Sequence, residues 1–222
     1  MTQMADFAAL GAVRFPAVFG HDDMTALGLG LDAVLLDRPG RRLTDGPWKR
    51  VLPALTQIAA GLIGEAAFPV RAVAFDKTRE TNWAVAWHQD RTVAVRERIE
   101  AEGFGPWSTK DGMVHVAPPI DVLRDMITLR LHIDACDDDN APLKVAMGSH
   151  LLGMVAADRA AEIAAASPLG ICHAEVGDVW AYSTLILHAS ERSRSSGRRR
   201  VLQVDFASEL LPGGVEWRGV DV

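Results

Sequence analysis

Apolar residues recur along this chain at two different spacings, and the change comes near Pro69. Between Trp48 and Ile63, Val51, Leu55, Ile58 and Leu62 follow one another at three- and four-residue steps, the period of a helix that lays one face on a sheet. Asp22 to Leu36 reads as a second helix. Asp6 to Leu10, stopped by Gly11, reads as a short one before an apolar strand, Ala12 to Phe19. Beyond Pro69, Val70–Phe75, Trp83–Asp90, Leu143–Ala146, Ile171–Glu175, Val179–Tyr182 and Arg200–Phe206 read as strands. The clearest alternation is Ile127–Asp134. It sets Ile127, Leu129, Leu131 and Ile133 on one face and Thr128, Arg130, His132 and Asp134 on the other, either a surface strand or the lining of a wet cavity. A helical turn near Val95–Glu100, a short helix Asp121–Met126 and an alanine-rich helix Ala156–Ala166 interrupt the series. Residues 103–119 read as a long irregular binding loop, with Trp107 and His115 as candidate substrate contacts. Helices first, then seven or eight short strands, predict a mainly β fold with flanking helices, a sandwich or barrel of which the jelly roll is one form.

Composition narrows the function classes. With 222 residues and 49% hydrophobic content, the expectation is one domain over 1–222 with a sizeable core. A net charge of −6 argues against nucleic acid or an anionic membrane as partner. There is no signal-peptide pattern and no apolar run of bilayer length, and Cys136 and Cys172 are too few and isolated for a disulfide framework. The expected location is cytoplasmic. Gly28-Leu29-Gly30 mimics a dinucleotide fingerprint, but no strand precedes it and no βαβ unit surrounds it.

The candidate chemistry lies in histidine–aspartate pairs. Three His-x-Asp triplets occur: His21/Asp23, His88/Asp90 and His132/Asp134. The first falls at a helix start, where acids cap. In an extended strand the other two would each put both side chains on one face. His88 and Asp90, joined by the distant His188, would make the two-histidine, one-carboxylate facial triad that holds non-heme Fe(II). His132/Asp134 sits in the more convincing strand, and spacing alone does not separate the two.

Four features together suggest a family. They are Trp87-His88-Gln89-Asp90; Asn140-Ala141-Pro142-Leu143 running on to Gly148-Ser149-His150; Gly177-Asp178 before a strand; and His188-x-Ser190 with Arg199 eleven residues past the histidine. From about Phe7 to Ser208 the chain resembles the phytanoyl-CoA dioxygenase family of Fe(II)/2-oxoglutarate-dependent oxygenases. Ala141 and Met147 depart from the family's usual glycine and proline. The resemblance implies a double-stranded β-helix, a cupin-like jelly-roll barrel. It implies a dioxygenase that uses O2 and 2-oxoglutarate to hydroxylate a small molecule, releasing succinate and CO2. It selects His88, Asp90 and His188 as catalytic metal ligands and turns His132/Asp134 into part of a cavity-lining strand. It gives Arg199 the distal carboxylate of 2-oxoglutarate, with a hydroxyl from Ser190, and makes Lys77 and Arg130 further co-substrate contacts. Arg199 is expected on a final strand beside the strand of His188, with Arg200 facing away, and His150 is expected to anchor its turn. The presence of Asp90 argues against halogenation, which needs a small residue there. Two other classes share the residues: a non-catalytic jelly-roll binding protein and a zinc hydrolase.

Overall fold

The helical spacing of the first third is realised as α1 (Gln3–Leu10), α2 (His21–Leu35) and α3 (Leu52–Ile63), with strands β1 (Ala12–Phe15) and β2 (Gly40–Leu43) between them. A computed structural model describes residues 3–35, 39–195 and 197–220; Leu36, expected to end α2, lies outside them. Pro53 sits in the first turn of α3, where a missing N–H costs nothing, and Gly64 at φ 101° closes the helix. Gly28 and Gly30 lie inside α2, so they form no phosphate loop.

The remainder is β-rich: β3 (Phe68–Lys77), β4 (Val85–His88), β5 (Val93–Val95), β6 (Trp107–Lys110), β7 (Met113–Val116), then α4 (Ile120–Arg124), β8 (Ile127–His132) and β9 (Leu143–Ala146). Helix α5 (Ala160–Ala166) precedes β10 (Leu169–Cys172), β11 (Val179–Ser183), β12 (His188–Ser190) and β13 (Arg199–Ala207). A six-stranded sheet runs β1-β11-β8-β13-β3-β2, a four-stranded one β10-β9-β12-β4, and a small one β5-β7-β6. Each pairing is antiparallel, and the sheets stay open at their edges.

The alternation in β8 is explained by burial on both faces. Ile127, Leu129 and Leu131, with Leu202 and Val204 of β13, pack against Leu27 and Leu31 of α2 and Leu55 of α3. Thr128, Arg130 and His132 are buried as well, on the opposite face, which looks toward the four-stranded sheet. The polar face is therefore interior, and its Arg130 lines a cavity between the two sheets.

Two expectations fail here. No helical turn follows Val95, which ends β5. Residues 103–119 are not irregular: they contain the β6–β7 hairpin, whose tip, Asp111-Gly112, takes the two left-handed φ values (49° and 75°) that a tight two-residue hairpin turn requires.

Candidate metal centre and its cavity

His88 ends β4 and pairs directly with His188 of β12, so the two imidazoles are cross-strand neighbours with ring centroids 4.2 Å apart. Gln89 turns the other way. Its buried side chain donates to the carbonyls of Gly153 (2.8 Å) and Leu185 (2.7 Å) and accepts from the Val155 N–H (2.9 Å). That clamp leaves Asp90 on the same side as His88. One ligand atom from each of His88, Asp90 and His188 lies within 4.8 Å of the others.

Both imidazoles are oriented by their own strands. His88 Nδ1 bonds the Ala86 carbonyl at 2.8 Å and His188 Nδ1 the Ile186 carbonyl at 3.0 Å. A carbonyl can only accept, so each Nδ1 carries the proton and each Nε2 keeps its lone pair, the arrangement of metal-ligating histidines. Burial, tempered by Asp90, lowers the His188 pKa to about 4 and keeps the ring neutral at pH 7. Burial pushes the Asp90 carboxyl up, but it still lies below the usual carboxylate value, with the Arg71 charge the largest opposing influence.

The site opens into a cavity of about 330 Å³ between the two larger sheets. Arg199, Ser190 and Arg130 line it. Arg199 is 3% exposed; its Nη1 donates to the Ala141 carbonyl, and its buried Nε has no partner among the described residues. Arg130 donates to Gln203 Oε1 at 3.0 Å, and its Nε is likewise unpartnered. Neither guanidinium has a carboxylate partner among the described residues. Arg71 is different: it pairs with buried Asp205, with Asp90 at 3.8 Å.

Several expected placements need correcting. Lys77 does not reach the cavity; its ammonium donates to the carbonyls of Trp83 (2.8 Å) and Glu191 (2.7 Å) and clips those segments together. β13 does not lie beside β12. It sits in the six-stranded sheet between β8 and β3, so Arg199 faces His188 across the cavity. Arg200 does face away, onto Asp134 (2.7 Å) and Asp32 (3.1 Å). Trp107 packs into the apolar cluster of Val95, Val116 and Trp217, away from the cavity. His115 is buried on the Lys110 face of the hairpin with Nδ1 on the Met113 carbonyl (3.0 Å), and of the two only Lys110 is a lining residue. His132 is buried without lining the cavity, and His150 bonds the Ala8 carbonyl at 3.2 Å, tying its turn to α1.

Sequence reasoning missed Arg71, Arg42, Lys110 and Gln203 as wall residues. A signal existed for two of them. Arg71 interrupts an apolar strand, and Arg199, Gln203 and Asp205 share a polar face that alternates with Leu202, Val204 and Phe206.

The phytanoyl-CoA dioxygenase family model matches residues 43–201, most of the chain and both halves of the site. The chain belongs to that family. No curated protein matches it. Among solved structures, EctD from S. alaskensis with 2-oxoglutarate and 5-hydroxyectoine is similar at TM-score 0.73 and 17% identity, covering 99% of this chain and 84% of EctD. AviO1 from Streptomyces viridochromogenes Tue57 is similar at TM-score 0.68 and 18% identity, covering 95% of each chain. EvdMO1 is similar at TM-score 0.69 and 21% identity over 92% of this chain, which spans about half (49%) of EvdMO1's length. These likenesses establish the jelly-roll oxygenase fold, mainly β, with α2 and α3 on the six-stranded sheet and α5 on the four-stranded one.

Proposed function

We propose that this chain is a single-domain non-heme Fe(II)/2-oxoglutarate-dependent dioxygenase that hydroxylates a small organic molecule. The observation that carries the reading is the His88–His188 cross-strand pair with Asp90 beside it, opening onto a cavity with two arginines; among the described residues neither Nε2 atom is hydrogen-bonded and neither arginine has a carboxylate partner. The donor set fits Fe(II): two imidazoles, each with Nδ1 engaged by a strand carbonyl, and one carboxylate. EctD has been solved both with bound Fe and with 2-oxoglutarate, and the same pair of groups fits the donors and cations here.

When bound, the iron with 2-oxoglutarate supplies the O2-dependent oxidation, releasing succinate and CO2. The chain's own residues do the positioning. Gln89 and the strand carbonyls fix the three ligands. Arg199, assisted by Ser190, holds the distal carboxylate of 2-oxoglutarate, because a buried guanidinium matches a carboxylate bidentately. Arg130, held by Gln203, adds positive potential to the same chamber. Trp83, Val85, Phe75 and Leu143 supply apolar wall that keeps water from the substrate. The two buried free thiols, Cys136 and Cys172, suit a reducing compartment such as the cytoplasm. No helix among the described residues is long and apolar enough to cross a membrane.

The test is succinate release from 2-oxoglutarate by the iron-loaded protein, with a metabolite panel as substrates. The expected result is release that needs Fe(II) and O2 and is stimulated by an organic substrate. Hydrolysis of a panel compound by the zinc-loaded protein, with no succinate under any condition, would overturn the reading.

A further inference from the structure

The cavity wall is strongly one-signed. Six of its lining side chains are cationic (Arg41, Arg42, Arg71, Lys110, Arg130 and Arg199), and Asp90 is the single carboxylate. The oxygenase reading accounts for part of that charge. Arg199 and Arg130 face a dicarboxylate, and Arg71 is matched by Asp205 and Asp90. Arg41 points outward, its guanidinium on the Val34 carbonyl at 3.0 Å. That leaves Arg42 and Lys110 at the mouth, on the far side of the chamber's floor from Arg199.

Register explains how they meet. Arg42 of β2 pairs with Val73, which pairs with Gln203, which pairs with Arg130, so Arg42 ends a cavity-facing row across the six-stranded sheet. Lys110 comes from a different sheet, at the end of β6 beside the hairpin tip. The tip reaches over to β2, where Asp111 pairs with Arg42 at 2.5 Å. Asp111 is half exposed, its side chain at 52%, and binds one nitrogen of the guanidinium. Arg42 Nε is buried and unpartnered among the described residues, a donor aimed at nothing. Among the described residues the Lys110 ammonium is held only by the Thr92 hydroxyl, a neutral group, at 3.1 Å. Burial and the nearby Arg42 and Arg71 charges pull the Lys110 pKa below its ordinary value. Two like charges converge on a concave wall with a donor to spare, and a bound anion would relieve all three conditions.

We propose that the substrate is a small organic anion whose carboxylate or phosphate sits between Arg42 and Lys110 at the cavity mouth, with its reacting carbon extended inward toward His88, Asp90 and His188. The proposal rests on the oxygenase reading of the same cavity. It also gives the β6–β7 hairpin a role, since the hairpin carries Lys110 to the site and Asp111 keeps Arg42 in place.

The experiment uses crystals of the full chain loaded with Mn(II) and N-oxalylglycine, a non-reacting analogue of 2-oxoglutarate, and soaked in sodium selenate. The expected map has manganese at the three ligands, the analogue's far carboxylate at Arg199, and an anomalous selenium peak within hydrogen-bond reach of both Arg42 and Lys110. In the Arg42→Gln/Lys110→Gln variant the selenium peak should be lost while manganese and analogue stay. Absence of selenium at Arg42 and Lys110 in the wild-type crystal, or its persistence in the double variant, would overturn the proposal. A failure of the oxygenase reading itself would appear separately, as missing manganese or analogue in the same maps.

Discussion

Two His-x-Asp triplets each straddle the end of a strand, yet they have opposite fates. His88 is the last residue of β4 and His132 the last of β8, with each aspartate two residues on, beyond the strand. The neighbour across the ladder separates them. His88 faces His188, a third donor, whereas His132 faces Val201. The aspartates diverge too. Asp90 stays on the cavity wall with Arg71 no nearer than 3.8 Å, while Asp134 is taken by Arg200, whose Nε (2.9 Å) and Nη2 (2.7 Å) grip both oxygens. Local spacing supplies two donors; register supplies the third, and a well-placed cation removes a carboxylate from service.

The largest contrast should come from two adjacent arginines on β13, one facing each way. Arg199→Ala should raise the apparent 2-oxoglutarate constant by about two orders of magnitude, since truncating one side of a buried charge pair costs about 2–5 kcal/mol and about 1.4 kcal/mol is tenfold. Fe(II) affinity should change little, because Arg199 lies across the cavity from the ligands. Arg200→Ala should leave the co-substrate constant near wild type and lower stability instead, through Asp134 and Asp32. Steady-state kinetics of both variants decide it; a larger kinetic loss in Arg200→Ala would reverse the assignment.

Gln89 is what distinguishes the turn of the first triplet from that of the second. Gln89→Ala strands three buried backbone groups. It should weaken metal binding by about 10- to 100-fold, the usual size for a group that orients ligands. Calorimetric titration with Mn(II) measures the loss, and an unchanged affinity would show that the clamp does not position His88 and Asp90.

His132 supplies the smallest effect. Burial, then Arg130, Arg199 and Arg14, push its pKa well below 6.5, and both ring nitrogens lack partners among the described residues. The folded ring therefore stays neutral where the unfolded ring titrates. Below pH 6.5 the unfolded state binds the extra proton, so the His132 contribution to stability falls as pH falls. His132→Leu should remove that share, flattening the pH dependence of urea unfolding by up to about 1.4 kcal/mol per pH unit. Urea midpoints at pH 7 and pH 5.5 test it, and a variant as pH-sensitive as the wild type would contradict it.

Much of the site was legible because its chemistry is carried by local strings. The alternation of Ile127–His132 marked a strand with two unlike faces, and the His88 triplet with His188 and Arg199 marked the family. What stayed hidden depends on non-local pairing. Gly40–Leu43 is too polar to read as a strand, and it becomes one because β3 offers a free edge. Trp107–Lys110 has a mostly exposed face and forms a hairpin only against Met113–Val116. Arg42 and Lys110 sit on those two strands, so their meeting at the cavity could not be read locally. The placement of β13 is a matter of sheet order, on which the spacing between His188 and Arg199 is silent.

The most direct test of the metal assignment is an anaerobic Fe(II) titration of the wild type, Asp90→Ala and Asp134→Ala, with stoichiometry and affinity read by calorimetry. One Fe(II) should bind the wild type and Asp134→Ala with affinities within a few-fold, and Asp90→Ala should lose at least about 100-fold, as expected when one of three protein ligands is removed. Retained binding in Asp90→Ala, or a comparable loss in Asp134→Ala, would contradict the assignment.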